Sequence, residues 1–320
     1  MEFKNLSYML ILIVLTVLYE KYKLSEQSKD EMKHYELVKN YLLNGSSLAR
    51  SKKPIIWIHN EYDVNARNWE SFYSRNTRCL NQPYMYLTIK SIIDQCGKDF
   101  NICLIDDESF SNIIPGWNIQ LDHIAKPIKN HIRSLALAKV LHTYGGMLVP
   151  PSFICFESLI NVYNSGLNGD HPFVGEFVTR NIASSLVTFF PNPILMGCKK
   201  ECQIMNDYIH YIEQVVSRDN TREMDFKGNL SKWCYEQVLN HKMNVISGSM
   251  IGTKTENEDP VTIDILLNNS FFKLADTAVG LYIPSDEILN RTNYEWFAKL
   301  RPQEVLESNT MIGKYMLAGY

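Results

Sequence analysis

"LAKVLHTYGGMLVPPSF", Leu137 to Phe153, decides the fold. Its first half has leucine and alanine at helical spacing, and Gly145 and Gly146 stop that helix as a positive-φ cap does. The apolar run that follows, "MLV", reads as a buried strand, and Pro150 and Pro151 end it because neither can donate a ladder hydrogen bond.

Working outward, the same grammar repeats. "PIIWIH", from Pro54, is a short β-rich run; "YMYLTIKSIIDQC" has helical spacing and stops at Gly97; "FNICLIDD", Phe100 to Asp107, is a second buried-strand run that ends on two carboxylates. "PIKNHIRSLALAKVLHTYGG" then gives a helix from about Pro127. Strand, helix, strand, helix, strand is the pattern of an α/β sheet, whose ligand crevice lies at the carboxyl ends of the strands. Downstream, "HPFVGEFV" and "PILMGC" read as strands, "CQIMNDYIHYIEQVV" and "GNLSKWCYEQVLN" as helices, and "YEWFAKL" with "EVLESNTMIGKYML" as a helical end. There is no internal repeat and no low-complexity segment.

The chain has 320 residues, 45% of them hydrophobic and 21% charged, enough to bury a large core. A net charge of -3 provides no positive field to recruit nucleic acid, so small molecules or proteins are the expected partners. Seven cysteines without a CxxC pair point away from zinc and mildly towards a reducing compartment. Cys198 and Cys202 come closest to a ligand pair, at i, i+4 spacing, and read as plain helix residues.

"LSYMLILIVLTVLY", Leu6 to Tyr19, reads as an uncleaved membrane anchor, with a cleaved signal peptide and an interfacial helix as rivals because the run is short. The expected organisation is an anchor over residues 1–23, a stalk over 24–52 and one α/β domain over 53–320. Lysines after the run favour a cytoplasmic domain, whereas sequons at Asn44, Asn229, Asn268 and Asn290 permit a lumenal one, so the side stays open.

The residues "IIWIHN", "ICLIDD" and "LAKVLHTYGGMLV" resemble the glycosyltransferases with a sugar-binding region containing a DxD motif, a family that includes capsular-polysaccharide and mannosyl-transferring enzymes. The resemblance implies a glycosyltransferase A-type fold, with a Rossmann-like mixed sheet flanked by helices, and covers roughly residues 54–202. "NARNWESFYSRNT", "LNQPYMYLTIKSII", "YGGMLVPPSFICF" and "IPSDEILNRTNYEWFAKL" look like a subgroup encoded by large DNA viruses.

Counted from the glycine pair, the family's aspartate and arginine on the helix fall on Ser134 and Leu137, and the two aspartates of the metal motif fall on Pro150 and Ser152. Transfer from a nucleotide sugar needs the leaving diphosphate neutralised, normally by a divalent metal on oxygen ligands. Here those carboxylates are missing. Arg133, beside Ser134 but on another side of the helix, is the nearest replacement cation, with Lys126, Lys129 and His131 at the start of that helix.

The candidate catalytic carboxylates are Asp106 and Asp107, which otherwise cap a turn, and Glu176, which otherwise points to solvent from a strand. The candidate nucleotide-sugar contacts are His59, Asn60, Arg133, Ser134, Gly145, Gly146 and Ser152, and no metal ligand is assigned. The polar loop with Asp63, Asn65, Arg67, Asn68 and Trp69 resembles a carbohydrate-facing or protein-facing surface, and "GTKTENEDP", Gly252 to Pro260, is an acidic turn-rich loop.

The implied molecule is a membrane-anchored glycosyltransferase-like protein with a degenerate metal motif, metal-independent or catalytically inactive. No cofactor is expected; a nucleotide sugar with Mn²⁺ or Mg²⁺ is implied only for an active enzyme. The alternatives are an active transferase with relocated carboxylates, a noncatalytic nucleotide-sugar or glycan binder, and a structural scaffold of a viral membrane or particle with a protein partner.

Overall fold

The computed structural model describes residues 53–61, 82–125, 128–178, 189–218 and 223–319. The expected anchor, the stalk and the loop around Trp69 lie outside the described residues. Among those described, no helix is long and apolar enough to cross a membrane.

In chain order the strands are β1 (Ile55–His59), β2 (Asn101–Ile105), β3 (Gly146–Leu148), β4 (Phe153–Cys155), β5 (Phe173–Phe177), β6 (Phe190–Cys198), β7 (Asn244–Ile246) and β8 (Gly280–Tyr282). The helices are α1 (Met85–Cys96), α2 (Phe110–Ile113), α3 (Ile128–Tyr144), α4 (Ile160–Gly166), α5 (Gln203–Ser217), α6 (Glu223–Leu239), α7 (Ile263–Leu267), α8 (Ser285–Asn290), α9 (Glu295–Ala298), α10 (Pro302–Glu307) and α11 (Met311–Ala318).

Six strands form one mixed sheet in the order β2-β1-β3-β6-β5-β7. β1 runs parallel to both β2 and β3, β6 is antiparallel to β3 and β5, and β7 is parallel to β5, so β6 alone runs against the other five. The carboxyl ends of those five strands therefore share one edge. β1 reads as a continuous apolar run because both its faces are buried: Ile56 and Ile58 are 0% exposed on one face and Trp57 is 2% exposed on the other. Trp57, Cys103, Ile105 and Leu148 pack with Ile132, Leu135, Ala136 and Val140 of α3 and with Tyr208 and Ile212 of α5.

The expected adjacency of "PIIWIH", "FNICLIDD" and "GGMLV" holds in the pairing of β1 with β2 and β3. α3 ends where expected. The Gly145 N–H donates to Leu141 O at 2.7 Å, with Gly145 at φ +73° and Gly146 at φ +99°. The chain then enters β3 directly against β1, where the Val149 N–H still reaches Trp57 O at 3.0 Å before the prolines stop the ladder.

A second, two-stranded sheet pairs β4 antiparallel with β8, Phe153 opposite Tyr282 and Cys155 opposite Gly280. Behind it lies a separate apolar cluster in which Tyr84 and Leu87 meet Ile154, Leu281, Ile283, Phe297, Val305, Ile312 and Met316. This places the short C-terminal helices against the start of α1. The reading of Cys198 and Cys202 as residues of one helix is corrected: Cys198 ends β6 and Cys202 precedes α5, because the turn between them takes Glu201 to φ +59°.

Candidate functional site

The carboxyl ends of β1 and β2 bring together a charged cluster. Asp107, two residues past β2, is gripped by Arg133 of α3, whose Nε donates to Oδ1 at 2.8 Å and Nη2 to Oδ2 at 2.7 Å, a bidentate fork. His59, the last residue of β1, places Nε2 3.0 Å from Asp107 Oδ1. An ionised carboxylate only accepts, so this nitrogen carries the hydrogen. The His59 ring stacks on Phe110 with centroids 5.3 Å apart and planes 5° from parallel, which fixes its orientation. Lys129 Nζ lies 3.5 Å from Asp107 Oδ2, and Arg133 Nη1 lies 2.5 Å from Glu61 Oε2.

The two cations Arg133 and Lys129 thus face two carboxylates, Asp107 and Glu61. The cluster is close to neutral and holds little surplus positive charge for a diphosphate. Burial alone would raise the Asp107 pKa, but hydrogen bonds from His59 and Arg133, together with the Arg133 charge, hold it well below the usual carboxylate range. A depressed folded-state value means that the ionised group stabilises the fold above its unfolded-state value of about 4, and that the contribution is lost as pH falls through the folded value. Asp107→Asn is therefore expected to flatten the acid limb of stability below about pH 4. Denaturation midpoints measured down to about pH 2 test this, and an acid limb identical to wild type would contradict the pairing.

The neighbouring Asp106 does different work. Its Oδ1 accepts from the Ser109 N–H at 2.9 Å and from the Ser109 hydroxyl at 2.5 Å, capping the turn into α2. Asn60 follows β1, 7% exposed, with its N–H on Ile105 O at 2.9 Å. Ser134 turns its hydroxyl back onto Asn130 O at 3.0 Å, along its own helix.

At the end of β3 the carbonyl oxygens of residues 150–152 and the Ser152 hydroxyl all have internal partners. Pro150 O accepts from the Phe153 N–H at 3.2 Å, and Pro151 O accepts from the Thr88 hydroxyl of α1 at 2.5 Å. The Ser152 hydroxyl donates to Ile283 O at 2.7 Å, and Ser152 O accepts from the Ile283 N–H at 3.0 Å. Ser152 is 1% exposed. This segment is a wall that ties the main sheet to the β4–β8 pair. Gly145 and Gly146 serve the same junction through backbone alone, and Gly145 O accepts the Trp57 indole N–H at 3.0 Å.

Glu176 sits on the same edge of the sheet but three strands from β1, about 14 Å away at ordinary strand spacing. It points into a buried network and not to solvent: Oε2 accepts from the Gly248 N–H at 2.9 Å and Oε1 from Lys254 Nζ at 2.6 Å, while Lys254 also reaches Glu258 at 3.0 Å. The structure thus groups His59, Asp107 and Arg133 and keeps Glu176 apart. Among the described residues no three His, Cys, Asp or Glu side chains converge in a way that could hold a metal ion.

Glu61 and Lys254 escaped the sequence reading. Glu61 follows His59 and Asn60 with nothing to distinguish it from a solvated loop acid. Lys254 stood inside an acidic, turn-rich segment that drew attention to its carboxylates; a single lysine among them was the available signal.

No family model and no curated protein matches the chain. Among solved structures it is similar to a glycosyltransferase involved in glycosylation of the major capsid of PBCV-1, at 9% identity over 64% of this chain and 86% of that one, with a TM-score of 0.37. The galactosyltransferase LgtC in complex with donor and acceptor sugar analogs gives 13% identity over 61% of this chain and 74% of that one, with a TM-score of 0.32. The glycosyltransferase GlyE of Streptococcus pneumoniae gives 10% identity over 84% of this chain and 64% of that one, with a TM-score of 0.40.

Proposed function

We propose that this chain is a glycosyltransferase-like protein of A-type architecture that has given up transfer through a carboxylate-held divalent metal and serves as a binding module for a nucleotide sugar or glycan. The proposal includes the N-terminal membrane anchor read from Leu6 to Tyr19 and a place in a divergent viral subgroup. The observation that carries it is the wall at Pro150, Pro151 and Ser152, where the resemblance expects metal carboxylates and each carbonyl oxygen and the Ser152 hydroxyl has an internal partner. The remaining carboxylates support the same reading, because Asp107 is neutralised by Arg133 and Glu176 by Lys254. A site that stabilises a leaving diphosphate needs cations aimed at it and not already paired.

The test is calorimetric titration of the full chain with a panel of nucleotide sugars, with and without Mn²⁺, followed by a donor-hydrolysis assay. Binding that ignores Mn²⁺, with no hydrolysis, is the expected result. Mn²⁺-dependent binding with turnover would replace this reading with an active transferase that draws on Asp106, Asp107 or Glu176. Silence towards every donor would replace it with a scaffold for a protein partner.

A further inference from the structure

α1 lies along the wall and the segment that follows it, and makes three contacts with them. Thr88 donates to Pro151 O, Ser91 Oγ accepts the Cys155 N–H at 2.9 Å, and Cys96 Sγ stands 3.7 Å from Cys155 Sγ. Thr88 and Ser91, three positions apart, share a helix face, and Cys96 follows at the end of the helix, so these contacts set one register between α1 and β4. Both sulfurs are 0% exposed. The Cys155 thiol also lies 3.1 Å from Glu157 O, so its hydrogen is placed between a carbonyl and the facing sulfur. All six described cysteines are free thiols. Cys198 and Cys202 also share a side-chain hydrogen bond, but they lie only four positions apart in sequence, whereas Cys96 and Cys155 join two separate elements.

We infer that Cys96 and Cys155 form a reversible disulfide that locks the carboxyl end of α1 to β4, next to the Pro150–Ser152 wall. The oxidant is a low-molecular-weight disulfide. The Cys96 thiolate attacks one sulfur of that disulfide and expels one small thiolate; the Cys155 thiolate then attacks the Cys96 sulfur of the mixed disulfide and expels the second. Two protein thiols are oxidised, one disulfide is reduced to two thiols, and the two thiol protons pass to the two leaving thiolates. The hydrogen bond between the two thiols lowers the Cys96 pKa against the opposing effect of burial and, with burial, pushes the Cys155 thiol up, so Cys96 makes the first attack and Cys155 gives up its proton only in the second. The oxidant enters through the last turn of α1, which ends at Cys96 and is followed by Gly97. Such helix ends open locally at a fraction of the cost of global unfolding.

The inference does not depend on the proposed function, since it needs no ligand. The full chain is equilibrated across glutathione–glutathione disulfide ratios, free thiols are alkylated, and peptides are mapped by mass spectrometry. The expected result is a Cys96–Cys155 linked peptide that appears with oxidation and disappears with reductant, together with a rise in thermal midpoint of roughly 5–10 °C, because the bridge closes a long loop. Cys96→Ser and Cys155→Ser abolish both changes, while Cys103→Ser, on β2 away from this pair, retains them. Full alkylation of both residues at every ratio, or a bridge that joins one of them to another cysteine, overturns the inference.

Discussion

Gly146→Ala is expected to cost about 3–5 kcal/mol, a large fraction of the stability of an ordinary domain. A Cβ at this position would lie 2.2 Å from Ile55 O and 3.0 Å from Ile55 C, both backbone atoms of β1, and φ is +99°. Neither the strand nor the turn can yield separately, because β3 pairs with β1 on one side and β6 on the other. Gly116→Ala is the control: φ there is +74°, but nothing lies within 4 Å of the added carbon, so only the backbone preference is lost, about 1 kcal/mol. Urea unfolding of both variants separates conformational strain from collision. Equal losses for the two would remove the close approach of β3 to β1 as the reason for the second glycine.

Arg133→Ala is expected to cost about 2–4 kcal/mol, because it leaves the Asp107 carboxylate in its half-closed position without the bidentate fork. The lower part of the range for broken buried pairs applies, since Lys129 stays within 3.5 Å and the Asp107 side chain keeps 17% of its exposure. The double variant Arg133→Leu with Asp107→Leu recovers most of the loss, because the desolvation of both charges is removed together. A double-mutant cycle by chemical denaturation reads the coupling directly. Additive losses would show that Arg133 and Asp107 do not depend on each other, and the cluster would then be a loose surface arrangement.

The order of elements around the glycine pair was legible because each signal was local. β1, β2 and β3 are short apolar runs with stops at known residues, and the stop of α3 is written in Gly145 and Gly146. The strand-ending role of Pro150 followed from its missing N–H. Less local features were hidden. That β6 runs against its neighbours depends on the connection between β5 and β6, and "PILMGC" has the same composition in either direction.

Within the candidate site, Asp106 and Asp107 were adjacent carboxylates with one shared pair of readings, yet one caps a turn through Ser109 and the other meets Arg133. Only the geometry past Ile105 separates them. Glu176 was read against alternation, but its partners, Gly248 and Lys254, lie far away in sequence, and burial of the strand on both faces defeats the period-two signal.

The pairing of β4 with β8 also has a consequence for how the protein is made. Phe153–Cys155 leaves the ribosome long before Gly280–Tyr282, its only ladder partner among the described strands. Until then the Ser152 hydroxyl lacks Ile283 and the backbone of β4 has open hydrogen-bonding groups, a long-range closure of the kind that slows folding. The main sheet can assemble as its strands emerge, whereas the wall beside it waits for almost the whole chain. A ribosome that stalls before Gly280 therefore releases a product with a formed main sheet and an unpaired β4, a natural substrate for chaperones and proteases.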